Sequence, residues 1–461
     1  MKFRVQLKSW LTICSTFFMV VACRPVLFTN DQLPCDPPSV DKAPDISAPL
    51  KISINVDGSG SMYGYVKNNS SSRYAQTITL LDSVVNLGSG SRSQVEIEHY
   101  RIGEKTTQLI KENQYQKARL AEFYTGESPE FPEVSSHLDV AIENPEEEDQ
   151  LLILVTDLDQ QGSDLNKLNK KIQRTYFNKQ LPGYAVGILG IRSEYNHTVY
   201  SVNKSLFPDF EYTTQGEELE SYRPFYVVFL GHYQDIVHYV EKIQQKKPDL
   251  FNTSEFSLFY PEHIVSKITT LQNSASFPPD LIRPSSLQNG KVAVEVTSPP
   301  YEIIEAPKRI DNSRPNLKYT LPFTPLKYSL PINNNSIITQ TEVFTYNFDS
   351  ESFTANNSDS LNKAINLTDW KITDDNLNFT STINLDSITN PGIYIFKINA
   401  MVKNFQDEEW WSQWDFSSRT SDRDGSKTHN LLNFMENLKR TTIDLMEEPS
   451  IGYFCYAIQK N

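Results

Sequence analysis

The stretch Lys51-Ile52-Ser53-Ile54-Asn55-Val56-Asp57-Gly58-Ser59-Gly60-Ser61-Met62 decides the reading of this chain. Its first half alternates apolar and polar residues, the period-two pattern of a β-strand with one buried face. Its second half breaks that pattern with two glycines, one carboxylate and two hydroxyls. A strand therefore runs into a tight loop whose acid and alcohols are spaced two residues apart. Hard oxygen donors of this kind suit Mg2+ or Mn2+ in octahedral geometry. Glycines between them let the backbone turn sharply and come close to an ion. A Gly/Ser/Asp loop also occurs as a plain turn, so its surroundings carry the argument.

Outward from this strand, apolar spacing alternates between two periods. Ile78, Leu81, Val84 and Val85 predict a helix over 73–87, and Val95, Ile97 and Tyr100 a strand. Residues 115–124 read as helical and 138–143 as a short helix start. The continuous apolar run 151–155 reads as a strand buried on both faces of a parallel sheet. Leu165, Leu168, Ile172 and Tyr176 predict a helix. Strands over 184–191 and 225–230 and a closing helix over 236–243 follow. Strand–helix alternation over about 200 residues predicts an α/β fold with a doubly wound, mostly parallel sheet. Ligands of such sheets bind beyond the carboxyl ends of the strands. Asp57 and Asp157 both stand at such ends.

Taken together, Asp57, Ser59 and Ser61 after the first strand, Ser136 in a middle loop and Asp157 after the strand 151–156 resemble one particular constellation. It is the metal-ion-dependent adhesion site of the von Willebrand factor A domain. The resemblance covers roughly residues 50–245. Ser136 stands where that family usually has Thr, with Ser135 as its neighbour and alternative; Asp159 is the rival to Asp157. The resemblance implies a divalent cation, Mg2+ or Mn2+, bound directly by Ser59 and Ser61 and directly or through water by the two aspartates. It further implies an open coordination position that an Asp or Glu carboxylate of a protein partner completes. An ion with few direct carboxylates stays electrophilic and attracts an outside acid. Movement of the last helix, here 235–246, would open or shut such a site.

The rest of the 461 residues sets the context. That length allows two or three domains of about 150 residues. Lys2, Arg4 and Lys8 precede an apolar stretch over 10–22 that is too short to span a bilayer. The stretch ends Val20-Val21-Ala22-Cys23, which resembles the lipobox of bacterial lipoproteins. That resemblance implies a signal peptide over 1–22, acylation of Cys23 and a lipid-anchored protein of the bacterial envelope, in the outer membrane or at the cell surface. Residues 23–50 carry Pro34, Pro37, Pro38, Pro44 and Pro49 and read as a tether. Cys35 and Cys455 then remain as thiols that either pair outside the cytoplasm or stay apart, with Cys455 as a small buried residue.

These readings place a von Willebrand factor A-like domain at 51–247. A β-rich, immunoglobulin-like sandwich follows at 248–405, judged from short alternating strands such as 291–296 and 393–398 with Pro/Asn turns. A mixed, Trp-rich C-terminal segment at 406–461 holds Trp410, Trp411 and Trp414, either as core or as a sugar or partner platform. A formal net charge of −14 argues against non-specific nucleic-acid binding. No H-E-x-x-H, G-x-S-x-G or C-x-x-C motif is present. A non-enzymatic adhesion or assembly role is therefore the expectation. The alternative is a metal-assisted envelope hydrolase acting on polysaccharide or phosphate esters. The long segment 192–222, rich in aromatic residues, has no role assigned by pattern alone.

Overall fold

The computed structural model describes residues 26–28, 35–38, 48–67, 70–86, 91–135, 137–142, 149–158, 165–177, 182–200, 208–274, 276–289, 292–295, 301–308, 313–373, 375–416, 423–446 and 449–461. The expected signal peptide, Cys23, Ser136 and Asp159 lie outside the described residues. In chain order the first half forms β1 (Val26–Phe28), β2 (Leu50–Asp57), α1 (Arg73–Val85), β3 (Val95–Ile102), β4 (Thr107–Ile110) and the short α2 (Glu112–Tyr115). Next come β5 (Asp149–Thr156), α3 (Leu165–Thr175), β6 (Tyr184–Ser193), β7 (Asn196–Val199), β8 (Phe210–Thr213) and β9 (Arg223–His232). They are followed by α4 (Tyr233–Lys246), α5 (Pro248–Phe251) and β10 (Ser254–Phe259).

Seven of these strands make one sheet in the order β10-β6-β9-β5-β2-β3-β4. β2 lies parallel to both β3 and β5, so the chain leaves it on one side and later returns on the other. That makes β2 a switch point, and ligands of doubly wound sheets bind beyond the carboxyl ends of the strands at such a point. Ile52, Ile54 and Val56 point to the face covered by α1 and α4, while Lys51, Ser53 and Asn55 share the opposite face. β5 is apolar on both sides. Leu151, Ile153 and Val155 join the first core, and Leu152 and Leu154 join a second core shared with α3.

The helices follow their apolar spacing. Ser72 caps α1 by accepting from Ala75 N at 3.2 Å, and Ile78, Leu81 and Val85 are buried. α4 buries Ile236, Tyr239, Val240 and Ile243. Its first turn is pinned by Asp235, whose carboxylate meets Arg92 at 2.6 Å with both side chains fully enclosed.

The sheet is mixed, not mostly parallel as its pattern predicts. β2–β3 and β2–β5 are its parallel pairs; β3–β4, β5–β9, β9–β6 and β6–β10 are antiparallel. The cause lies between β6 and β9. A parallel neighbour needs a crossover, usually a helix. Here the chain forms the β7–β8 hairpin instead and returns beside β6. Over 115–124 the expected helix is α2 followed by 3-10 turns at Gln116–Arg119 and Ala121–Phe123. The extended backbone of Leu120 interrupts it.

The second half contains β11 (Thr269–Thr270), β12 (Ser286–Asn289), β13 (Val292–Glu295), β14 (Tyr301–Ala306), β15 (Asn316–Pro322), β16 (Ile337–Asn347) and β17 (Ser352–Ala355). It continues with α6 (Asp359–Asn362), β18 (Ile365–Thr373), β19 (Asn376–Ile383), β20 (Gly392–Val402), α7 (Glu409–Gln413), β21 (Asp415–Phe416), β22 (Thr428–His429), α8 (Leu431–Leu445) and β23 (Ser450–Lys460). One sheet runs β11-β23-β20-β16-β17, with β14 also on β23. The sheet β15-β19-β18 packs on it through rings such as Phe379 and Phe454, 4.7 Å apart. β1 lies parallel to β13 in a third, three-stranded sheet.

Elements cross both expected boundaries. β10 extends the first sheet beyond residue 247, and β23 pairs with β20 along nearly its whole length across residue 405. Trp410, Trp411 and Trp414 are buried. Trp411 Nε1 donates to Ser257 Oγ of β10 at 2.9 Å, and Trp414 packs on Gly190 of β6, where a Cβ would come within 2.8 Å. These side chains are the joint between the two halves. Cys35 and Cys455 form a disulfide with Cα atoms 6.3 Å apart, tying the N-terminal region to β23.

Candidate metal centre

Asp57 is the last residue of β2, and Asp157 follows the last residue of β5. Because Val56 pairs with Val155, the two carboxylates leave adjacent parallel strands side by side. Both are fully enclosed, while Ser59 and Ser61 keep 6% and 7% exposure. The loop folds on its own acid: Ser59 N–H donates to Asp57 Oδ1 at 2.9 Å, which starts the 3-10 turn Gly60–Tyr65. That turn brings the Ser59 and Ser61 hydroxyls within 3.0 Å of each other. Ser61 Oγ then donates to Asp157 Oδ1 at 3.3 Å. Four of the five residues expected from the sequence thus converge. Ser136 lies outside the described residues, and its neighbour Ser135 is exposed.

Several partners carry no sequence motif. Thr156 Oγ1 donates to Asp57 Oδ2 at 2.8 Å and accepts from Leu158 N at 3.0 Å, fixing both acidic turns at once. Leu158 has a left-handed backbone, φ 58°. That conformation costs a non-glycine residue roughly 1–2 kcal/mol and is held here by that hydrogen bond and by burial of the leucine. Beneath the loop, Arg101 of β3 donates to Gly58 O at 3.0 Å, to Phe123 O at 3.1 and 3.2 Å and to Pro132 O at 2.8 Å. The guanidinium fills the space beside Gly58, where a Cβ would lie 2.7 Å from Arg101 Nε and 2.8 Å from Ile102 O.

The segment 192–222 also reaches the site. Tyr195 Oη donates to Ser61 O at 3.3 Å and to Thr198 O at 2.9 Å. Gly64 sits under Tyr195 and His197, with space for no Cβ. The hairpin therefore buttresses the turn that carries Ser61. Arg223, first residue of β9, completes the surroundings with a terminal nitrogen 3.5 Å from Asp157 Oδ2. An arginine directly before an apolar strand is the sequence signal for this group; its destination depends on the direction of β9, which pattern does not give.

Electrostatics follow from this burial. Enclosure first, and the neighbouring Asp157 second, push the Asp57 carboxyl up to about 6 against the opposing hydrogen bonds from Ser59 and Thr156. A cation between the two acids would relieve both the desolvation and the repulsion. Both Asp57 oxygens accept hydrogen bonds, from Ser59 N–H and Thr156 Oγ1, and both Asp157 oxygens have partners in Ser61 Oγ and Arg223. Ser59 Oγ, Ser61 Oγ and the two carboxylates would be the oxygen donors to an ion held here. The donor set fits a hard divalent ion. Cys35 and Cys455 are buried in a separate cluster with Leu287 and Tyr301. Comparison with protein-family models, with curated proteins and with solved structures found no match for this chain.

Proposed function

We propose that residues 50–259 are a von Willebrand factor A-like, doubly wound unit with a modified far side, and that the carboxyl ends of its strands β2 and β5 hold Mg2+ or Mn2+. The ion serves as a non-enzymatic bridge to an Asp or Glu carboxylate of a protein partner, in adhesion or complex assembly. The chain itself is a bacterial lipoprotein, anchored in the cell envelope through acylated Cys23. The observation that carries the reading is the meeting of Asp57, Ser59, Ser61 and Asp157 at the ends of two adjacent parallel strands. An ion held largely by neutral hydroxyls keeps most of its charge for an incoming acid. Buried acids 100 residues apart rarely meet without a cation or a catalytic task.

Calorimetric titration of the mature chain with Mg2+ and Mn2+ tests the reading. One ion per chain is expected, and Asp57→Ala combined with Ser59→Ala abolishes the heat while circular dichroism stays unchanged. Unaltered ion binding in that variant discards the site. Turnover of phosphate esters or polysaccharide that requires the same four residues would replace the adhesive reading by the hydrolytic one.

A further inference from the structure

We propose that Arg223 is a built-in counter-cation: it competes with the divalent ion for Asp157, and it links ion entry to the docking of the C-terminal segment 423–429. This rests on the ion-site reading above. The antiparallel course of β9 is what makes it possible. A parallel strand would present its last residue at this end of the sheet; β9 presents its first, three positions before Tyr226, the partner of Thr156.

The Arg223 side chain is 4% exposed and serves two masters. One terminal nitrogen faces Asp157 Oδ2 at 3.5 Å; the other donates to Gly425 O at 3.3 Å. Its guanidinium lies over the Tyr195 ring at 5.1 Å, and Tyr195 in turn holds the Ser61 carbonyl. Gly425 rests on the Tyr212 ring of the hairpin so closely that a Cβ would come within 2.3 Å. Two further bonds fasten the same segment: Arg192 donates to Ser426 O at 3.0 Å, and Tyr226 Oη donates to Thr428 Oγ1 at 2.9 Å. The metal site and a segment far beyond it in the chain therefore share one buried arginine, 202 residues before Gly425.

Charge gives the direction. Arg223 beside Asp157 and Arg101 beneath Gly58 already balance the charge of the two acids, Asp57 and Asp157, in this enclosed site. A doubly charged ion over-compensates the acids and repels the Arg223 guanidinium. Arg223 then leaves Asp157, and its hold on Gly425 loosens. Linkage makes the effect reciprocal: a change that removes Arg223 must strengthen ion binding. At an effective dielectric of the kind found in protein sites, deleting one charge a few ångströms from the ion changes affinity by about tenfold or more.

The test uses the full mature chain with Mg2+ and Mn2+ as probes. Calorimetry compares the natural chain, Arg223→Met and Arg223→Lys. Hydrogen exchange follows the amides of 423–429 with and without saturating Mg2+. The expected results are about tenfold tighter ion binding in R223M, near-natural binding in R223K, and exchange in 423–429 that accelerates several-fold with Mg2+ in the natural chain. In R223M that exchange is already fast and ignores the ion. Equal or weaker ion binding in R223M, with the natural chain binding normally, overturns the proposal and leaves the ion site standing. No heat from the natural chain overturns the ion site, and this proposal with it. Should R223M not fold, exchange in the natural chain decides: acceleration supports the proposal, and an unchanged rate overturns it.

Discussion

Gly58 shows how narrowly the site is specified. Its neighbours leave space for hydrogen but none for a methyl group, since the obstruction includes the Ile102 carbonyl and the hydrogen-bonded Arg101. Gly58→Ala should therefore cost about 1–3 kcal/mol in urea unfolding and weaken Mg2+ binding, because the loop must lift off Arg101. Unchanged stability would show that the loop does not sit as described. Asp57 gives the pH dependence. Its carboxyl is held at about 6 in the fold against an ordinary 3.8. Between those values the native state binds the proton more tightly than the unfolded chain does. This group therefore supports the metal-free fold fully below pH 4, and that support is lost as pH rises through about 6. Urea midpoints of the metal-free protein should fall over this range, and Asp57→Asn should remove most of the fall. Equal slopes in the two proteins would contradict the assignment. At this scale the candidate donors Asp57, Ser59 and Ser61 are legible in the sequence because their oxygens stand two residues apart, and Asp157 because it directly follows an apolar run. Thr156, Arg101 and Arg223 are hidden in it, because each acts across strands.

Among the elements, β2 and β5 are legible from pattern alone: one face of β2 is apolar, and both faces of β5 are. The direction of β9 is not legible, since an apolar run reads the same for either orientation. Direction is set by the connection, and the 192–222 segment shows aromatic residues without helical period. The hairpin it forms, β7–β8, has a structural task that can be tested. Gly64 lies against the Tyr195 ring and the His197 side chain, and the Tyr63 ring meets His197 edge-on at 5.1 Å. Gly64→Ala should push the hairpin away from the Gly60–Tyr65 turn. Proteolytic cleavage within 196–213 should then become faster, whereas the far end of α1 stays protected. An unaltered cleavage pattern would mean that the hairpin does not lean on this turn.

For the whole molecule, the two halves share one apolar core that runs from α3 and β5 to α8 and β23. Its continuity was not readable in advance, because β20 and β23 pair across about 50 intervening residues and β10 belongs to the sheet before it. The three C-terminal tryptophans are spent on this junction. Arg192 lies over the Trp414 ring at 4.5 Å, and Trp410 and Trp414 meet edge-on at 5.4 Å. The Cys35–Cys455 bond closes a loop of 420 residues. Cys35→Ser with Cys455→Ser should lower stability by about 2–4 kcal/mol, read from denaturant unfolding, with the ion site intact. No loss would show that the N-terminal region is not held by this bond. The most direct measurement of the central claim is anomalous diffraction from crystals grown with Mn2+. The account predicts one peak at about 2.0–2.3 Å from both Ser59 Oγ and Ser61 Oγ, next to Asp157. A site without a peak at saturating Mn2+, its four side chains in place, would contradict it.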